Sequence, residues 1–434
     1  MIEIINQRNM AILIGLLILS LFLNTDVATG LLIILFVVSV IYISISPEKS
    51  QKLMTYEYFL VLSFFMFSLI SVVWLFIFDV TRDALVKNEA YSAFALSIPI
   101  LVFLRKMNFN FIHYMPKMFL FIGSFVFIVA VYQVISWEYF NAAPYTFGNH
   151  FVEHTFYGRA VGGLQPIRFG ALSLALSGIS LIGAIHLVNK KDRSFLAIAF
   201  MLFFIASLLS GSRGPMLSIP FIFMFLLFGS KSFSLKSAFI GVALASVFLS
   251  LVVYNTPVLK NRITAMVIDV DLMLSGNLHT SIGARIDMGI AAGLLIKERP
   301  VLGSGLSSYK EGVNELRKNG YKFGGEVGKW KNPHNEWLNV AVEKGIFGVF
   351  SLFLLFGSLI YFYLYTRRHP SNQAQFLGEA AIVLLVVYFV SGLSIALFEH
   401  KPFTYFYIII SVLLYSAMHS IDSNDAEKFK ARIA

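Results

Sequence analysis

Apolar stretches of membrane-crossing length recur along nearly the whole chain, and nothing in the sequence constrains the fold more. Twelve stand out, at about 10–24, 28–46, 58–78, 91–105, 118–136, 169–188, 194–210, 215–229, 237–254, 346–366, 377–397 and 403–418. A hydrocarbon core of roughly 30 Å takes about 20 residues of helix, so these segments predict transmembrane helices. Hydrophobic residues make up 57% of the chain and charged residues 13%, a balance that excludes a soluble domain. The expected fold class is therefore an all-α integral membrane protein with about twelve spans.

Charge orients those spans. With the N-terminus inside, the inner segments hold 16 Lys and Arg residues, from Arg8 to Arg432, and the short outer segments hold six: Arg82, Lys87, Arg159, Arg168, Arg213 and Lys401. That asymmetry predicts cytoplasmic termini. The long segment 255–345 holds the remaining 12 and faces outward; loops of that length do not vote reliably. The net charge of +10 is scattered among inter-span segments, a topology signal rather than a nucleic-acid-binding one. Cys is absent, so neither disulfides nor thiol chemistry enter. One Arg precedes the first apolar run and many spans follow, so no cleavable signal peptide is expected. The expected organisation is helices 1–9 over 1–254, a large outer loop over 255–345, helices 10–12 over 346–418, and a cytoplasmic tail over 419–434.

Within the loop, one amphipathic helix is expected from Ser281 to Lys297, ending before Pro300. A second starts at Ser308, with Glu311 completing a capping box. The Gly- and Lys-rich stretch from Lys318 to Lys331 predicts a mobile connection. Asn332 then caps a third helix with Pro333 at its first position.

That third helix carries the most chemically suggestive run, Pro333-His334-Asn335-Glu336-Trp337-Leu338. In a first helical turn the positive end of the dipole disfavours imidazolium, so His334 is expected neutral and able to accept a proton from a hydroxyl. Taken singly, a surface His with no task is the competing reading. Arg213 lies in Ser210-Gly211-Ser212-Arg213-Gly214-Pro215, where glycines let backbone N–H groups approach an anion and Arg can bind phosphate bidentately. An interfacial Arg snorkelling to headgroups is the alternative. Arg285 opposes the dipole at a helix start, which calls for an anionic ligand or a salt bridge to Asp287 or a neighbouring acid. Arg159 and Arg168 flank Gly162-Gly163-Leu164-Gln165-Pro166 and are weaker candidates for the same anion. Asn335 and Glu336 are further candidate substrate contacts.

Two patterns carry less. His150-Phe151-Val152-Glu153-His154 matches the H-x-x-E-H zinc pattern, but Pro144 and Gly148 upstream suit a loop rather than the required helix. Asp269-Val270-Asp271 resembles a D-x-D metal holder, and two residues specify almost nothing.

Together these residues resemble the O-antigen ligase/polymerase family. The likeness lies in Ser212-Arg213-Gly214; in Arg285 followed by Glu298-Arg299-Pro300-Val301-Leu302-Gly303-Ser304-Gly305 and Tyr309; and in His334-Asn335, Leu338, Glu343, Gly345 and Gly348. Gly163 and Pro166 add a looser block. It covers about residues 155–350; the first five spans match only in hydropathy.

The resemblance implies a GT-C-like architecture with the large loop in the periplasm of a Gram-negative inner membrane. It implies an inverting glycosyltransferase that needs neither metal nor other cofactor. The donor would be an undecaprenyl-diphosphate-linked glycan and the acceptor a sugar of lipid A-core, both reached within membrane lipids. Carried over, His334 is the base, and Arg213 and Arg285 hold the diphosphate. An O-antigen polymerase or a protein O-oligosaccharyltransferase would show similar blocks. A lipid-linked glycan flippase would have a similar span count but should place charge at mid-membrane and show inverted repeats.

Overall fold

The computed structural model describes residues 6–46, 52–78, 80–140, 158–230, 264, 268, 281–324 and 327–433, and every regular element among them is an α-helix. In chain order these are α1 Gln7–Leu23, α2 Thr25–Ile45, α3 Thr55–Ile77, α4 Arg82–Lys106, α5 Phe111–Glu138, α6 Pro166–His186 and α7 Lys190–Leu209. There follow α8 Arg213–Met216, α9 Ser218–Phe228, α10 Ser281–Glu298, α11 Tyr309–Lys318, α12 Glu336–Thr366, α13 Asn372–Gly392 and α14 Lys401–Ile433. Nine of the described helices are long and apolar enough to cross a membrane, and α1 is a shorter apolar helix, as is the Arg213–Phe228 stretch of α8 and α9. The chain is a multi-pass, all-helical membrane protein. Eleven of the twelve expected segments coincide with helices; the one at 237–254 lies outside the described residues.

Polar residues at the connections start and stop these helices. Asn24 ends α1 and caps α2, accepting from the N–H groups of Asp26 and Val27. Thr81 caps α4, Asn110 caps α5 and Asn189 caps α7 in the same way. Pro166 opens α6, where its missing N–H costs nothing. Once formed, each helix satisfies its own backbone, which is the condition for crossing lipid.

α6, α13 and α14 are the most enclosed helices, and α2 is the most lipid-facing. At the centre, Phe398 packs against Phe67, Phe94, Phe356, Tyr388 and Tyr407. Phe398 belongs to the turn 393–400 between α13 and α14, so that turn is anchored in the core. Glu336 fixes it further: its carboxylate accepts from the backbone N–H groups of Leu397 and Phe398.

The bundle has two distinct ends. At one, Arg105 pairs with Glu57 at 2.7 Å, and the Tyr56 and Tyr365 hydroxyls donate to Asp422. Tyr363 donates to the Gly229 carbonyl near this end. At the other end sit α10 and α11, with a small apolar cluster of their own built on Met288, Leu295, Tyr309, Val313 and Leu316. Gly229 and Ser281 thus stand at opposite ends of the bundle.

Several boundaries differ from expectation for one reason: a hydropathy window stops at the first charge, whereas a helix does not. α4 starts at Arg82 rather than 91, so Lys87 is a buried helical residue, not a loop charge. α12, by contrast, joins two helices at Gly345 (φ 57°, ψ −149°): the expected span start at 346 holds, and the expected third loop helix begins at Glu336 rather than at Pro333 and meets it at this kink. Against that kink docks the 300–305 segment. Ser304 donates to the Val342 carbonyl at 2.8 Å, Gly305 to Glu343 at 3.0 Å, and Ile346 to Pro300 at 3.0 Å. A Cβ on Gly345 would stand 2.2 Å from the Val301 carbonyl oxygen, so only glycine permits the approach.

In the loop, α10 ends one residue past the expected Lys297. Ser308 does precede α11, but its own φ and ψ are helical and its side chain makes no cap bond, so the capping box with Glu311 does not form. The stretch after α11 folds back: Tyr321 donates to Leu316 at 3.1 Å, Arg317 to the Gly324 carbonyl at 3.0 Å, and Val327 is buried.

Candidate functional site

His334 is not in a helix. Asn335, not Asn332, is the cap of α12; Leu338 donates its backbone N–H to Asn335 Oδ1 at 3.1 Å. His334 therefore sits one residue before the cap, at φ 49°. Asn332 stabilises this unusual conformation by accepting the His334 backbone N–H on Oδ1 at 2.9 Å. Pro333 favours extended backbone at Asn332, and so works against the expected helix start there. The imidazole packs edge-on against Trp330, ring centroids 4.7 Å apart. It is held below the ordinary imidazole pKa, first by burial and then by the Arg285 charge, with Glu399 opposing. The direction expected from the sequence is retained, but partial burial and the Arg285 charge supply it rather than a helix dipole.

Arg285, in the first turn of α10, is lowered from its usual value by burial and by the charge of Arg213. Asp287 offers it no partner of the expected kind; Asp287 Oδ2 accepts the Gly324 N–H at 3.0 Å. Arg213 opens α8 after a turn in which Gly211 adopts φ 59°. Arg159 braces that turn: its Nε donates to the Ser210 carbonyl at 2.8 Å and its Nη2 to Ser212 Oγ at 3.1 Å. Gly214 packs so tightly on the 393–400 turn that a Cβ there would stand 2.3 Å from Ser394 Oγ. Arg213, Arg285 and His334, about 120 residues apart from first to last in sequence, thus converge at the loop end of the bundle.

Arg168, near the start of α6, reaches the same cluster. Its Nη2 lies 3.2 Å from His400 Nε2. His400 is held well below the usual imidazole value by burial, then by Arg168, Lys87 and His334. Arg168 can only donate, so His400 Nε2 accepts and the neutral ring carries its proton on Nδ1. Asn335 and Glu336, candidate substrate contacts by sequence, instead direct their side chains to backbone: Asn335 caps α12, and Glu336, buried, holds the 393–400 turn.

Three further residues complete the site. Glu399 Oε1 accepts from Asn332 Nδ2, and its Oε2 lies 2.8 Å from Lys87 Nζ. Lys87 also donates to Glu343, whose Oε1 accepts the Ser307 N–H at 2.8 Å. Lys87 and Glu399 do not stand out in the sequence as site residues, because each borders an apolar run and reads as a span-end charge. The available signal was Glu399-His400-Lys401, a charged triplet between two spans. Among the described residues no three His, Asp or Glu side chains converge as a metal-ligand set. His150, Glu153, His154, Asp269 and Asp271 lie outside those residues.

Residues 196–353 match the family model described as O-antigen ligase. That stretch is similar to the O-antigen ligase family. Arg213, Arg285 and His334 fall inside the matched stretch; Lys87, Arg159, Arg168, Glu399 and His400 come from outside it and pack onto it. The chain is also similar to an uncharacterised protein of Haemophilus influenzae, 28% identical over 240 residues. That stretch is 52% of this chain and 58% of the relative, so the chain spans a little over half the length of this relative.

Proposed function

We propose that the protein is an inverting, metal-independent glycosyltransferase of the inner membrane. It moves a glycan from undecaprenyl diphosphate to a sugar hydroxyl of lipid A-core, in a GT-C-like architecture with the 255–345 loop on the periplasmic face. The observation that supports this best is the meeting of Arg213, Arg285 and His334, two permanent cations beside a neutral imidazole.

In this reaction His334 takes the proton of the acceptor hydroxyl as its oxygen attacks the anomeric carbon. The bond from that carbon to the diphosphate oxygen breaks on the opposite face, and the electron pair leaves with the diphosphate. Arg213 and Arg285 meet the developing charge with bidentate donors. A diphosphate is already a good leaving group, so the protein's main task is positioning, together with a base. Both substrates are lipid-linked and arrive by diffusion in the membrane plane. Arg168 and His400 border the site, and Arg159 aims Arg213.

The test is transfer from undecaprenyl-diphosphate glycan to lipid A-core by the purified full-length protein, alongside the lipopolysaccharide pattern of cells lacking it. The proposal expects transfer in vitro and loss of the whole glycan ladder with core retained. Core carrying a single repeat unit would mark a polymerase instead, and no transfer with intact donor binding would refute the ligase reading.

A further inference from the structure

We propose that Glu399 is the positioning residue for His334, acting through Asn332 and through its own charge. The inference rests on His334 being the base, and extends the site beyond the matched stretch 196–353 to the 393–400 turn.

Glu399 is rigidly mounted. Phe398 before it is locked in the aromatic core, and Glu336 holds the N–H groups of Leu397 and Phe398. One carboxylate oxygen takes Asn332 Nδ2, and the other faces Lys87, which Glu343 holds from behind. Asn332 in turn accepts the His334 N–H and supports a φ of 49° that a non-glycine residue rarely adopts. A continuous chain of polar contacts thus runs from Lys87 through Glu399 and Asn332 to the His334 backbone.

Charge adds a second effect. The ionisable groups that act on His334 are Arg285 of α10 and Glu399 and His400 of the turn; behind them, Arg213 of α8 acts on Arg285, and Arg168 of α6 and Lys87 of α4 act on His400. After burial, the charges acting on the imidazole are the Arg285 cation and the Glu399 carboxylate, which oppose each other. When His334 takes a proton, Glu399 is the anion placed to balance the new cation beside two guanidinium groups. Without that carboxylate, His334 would be a weaker base in the same place.

The two effects separate by mutation of the full-length protein in proteoliposomes. Initial rates, both KM values, melting temperature and the pH profile of kcat/KM are measured for each variant. Glu399→Gln keeps an acceptor for Asn332 but loses the charge. It should lower kcat by about tenfold or more, leave donor KM unchanged and move the acid limb to lower pH. Glu399→Asp should restore the acid limb and part of kcat. Asn332→Ala should lower kcat with the acid limb unmoved. A wild-type kcat and acid limb in Glu399→Gln, while His334→Ala is inactive, would overturn this proposal alone. Active His334→Ala would overturn it together with the base assignment. A drop in melting temperature and all rates without any shift of the limb would mean a merely structural Glu399, and would overturn it too.

Discussion

Arg159 Nε donates to the carbonyl of Ser210 at 2.8 Å, three residues before Arg213. An arginine thus props up the turn that presents another arginine. Arg159→Lys keeps the charge but loses the fork that grips both Ser210 and Ser212. It should lower transfer by about tenfold with little change in melting temperature, the cost of a modest misalignment. Full activity in Arg159→Lys would show that Arg213 needs no brace.

Arg213→Lys and Arg285→Lys should each fall much further, about 100-fold, because an ammonium cannot make the planar two-point contact with a phosphate. Near-normal transfer by either would remove the bidentate role from that residue. Added EDTA should leave the rate unchanged; strong inhibition reversed by magnesium would move attention to Asp269 and Asp271.

The pH profile follows from His334. A base works when deprotonated, so the rate rises with pH through its pKa. Burial and Arg285 lower that pKa, so the acid limb of kcat/KM should lie below the ordinary imidazole value of about 6.5. The sign is opposite for an acid held neutral by burial, whose limb would move up. An acid limb at or above the ordinary value contradicts the assignment.

Gly345→Ala tests how the loop docks on the bundle. Its φ of 57° and the 2.2 Å approach to Val301 leave no room for a Cβ. Backbone strain alone costs about 1–3 kcal/mol, so the variant should melt lower and lose activity. A melting curve like the wild type would mean that the 300–305 segment moves away freely.

Most of the bundle was legible in the sequence because lipid imposes one rule on every span: about 20 apolar residues, with polar caps between. What hydropathy missed were the buried charges at span ends, Lys87 and Glu343 among them, which pair with one another and with Glu399 and the Ser307 N–H. The cluster of Arg213, Arg285 and His334 was legible by residue type and loop position. Its support was not. Asn332 reads as a helix cap and Glu336 as a substrate contact until the turn carrying Glu399, more than 60 residues later in the chain, is folded against them. Local rules placed the cap at Asn332; Pro333 favours extended backbone there, the Asn332 side chain closes on the His334 N–H, and Asn335 starts the helix.

Transfer by His334→Ala and His334→Gln, with donor binding measured in parallel, tests the central claim most directly. The proposed base predicts inserted, stable protein that still binds undecaprenyl-diphosphate glycan, with transfer reduced by about 10²–10⁴-fold. Either variant keeping more than about a tenth of the wild-type rate would contradict it, because that is less than the loss of a general base typically costs.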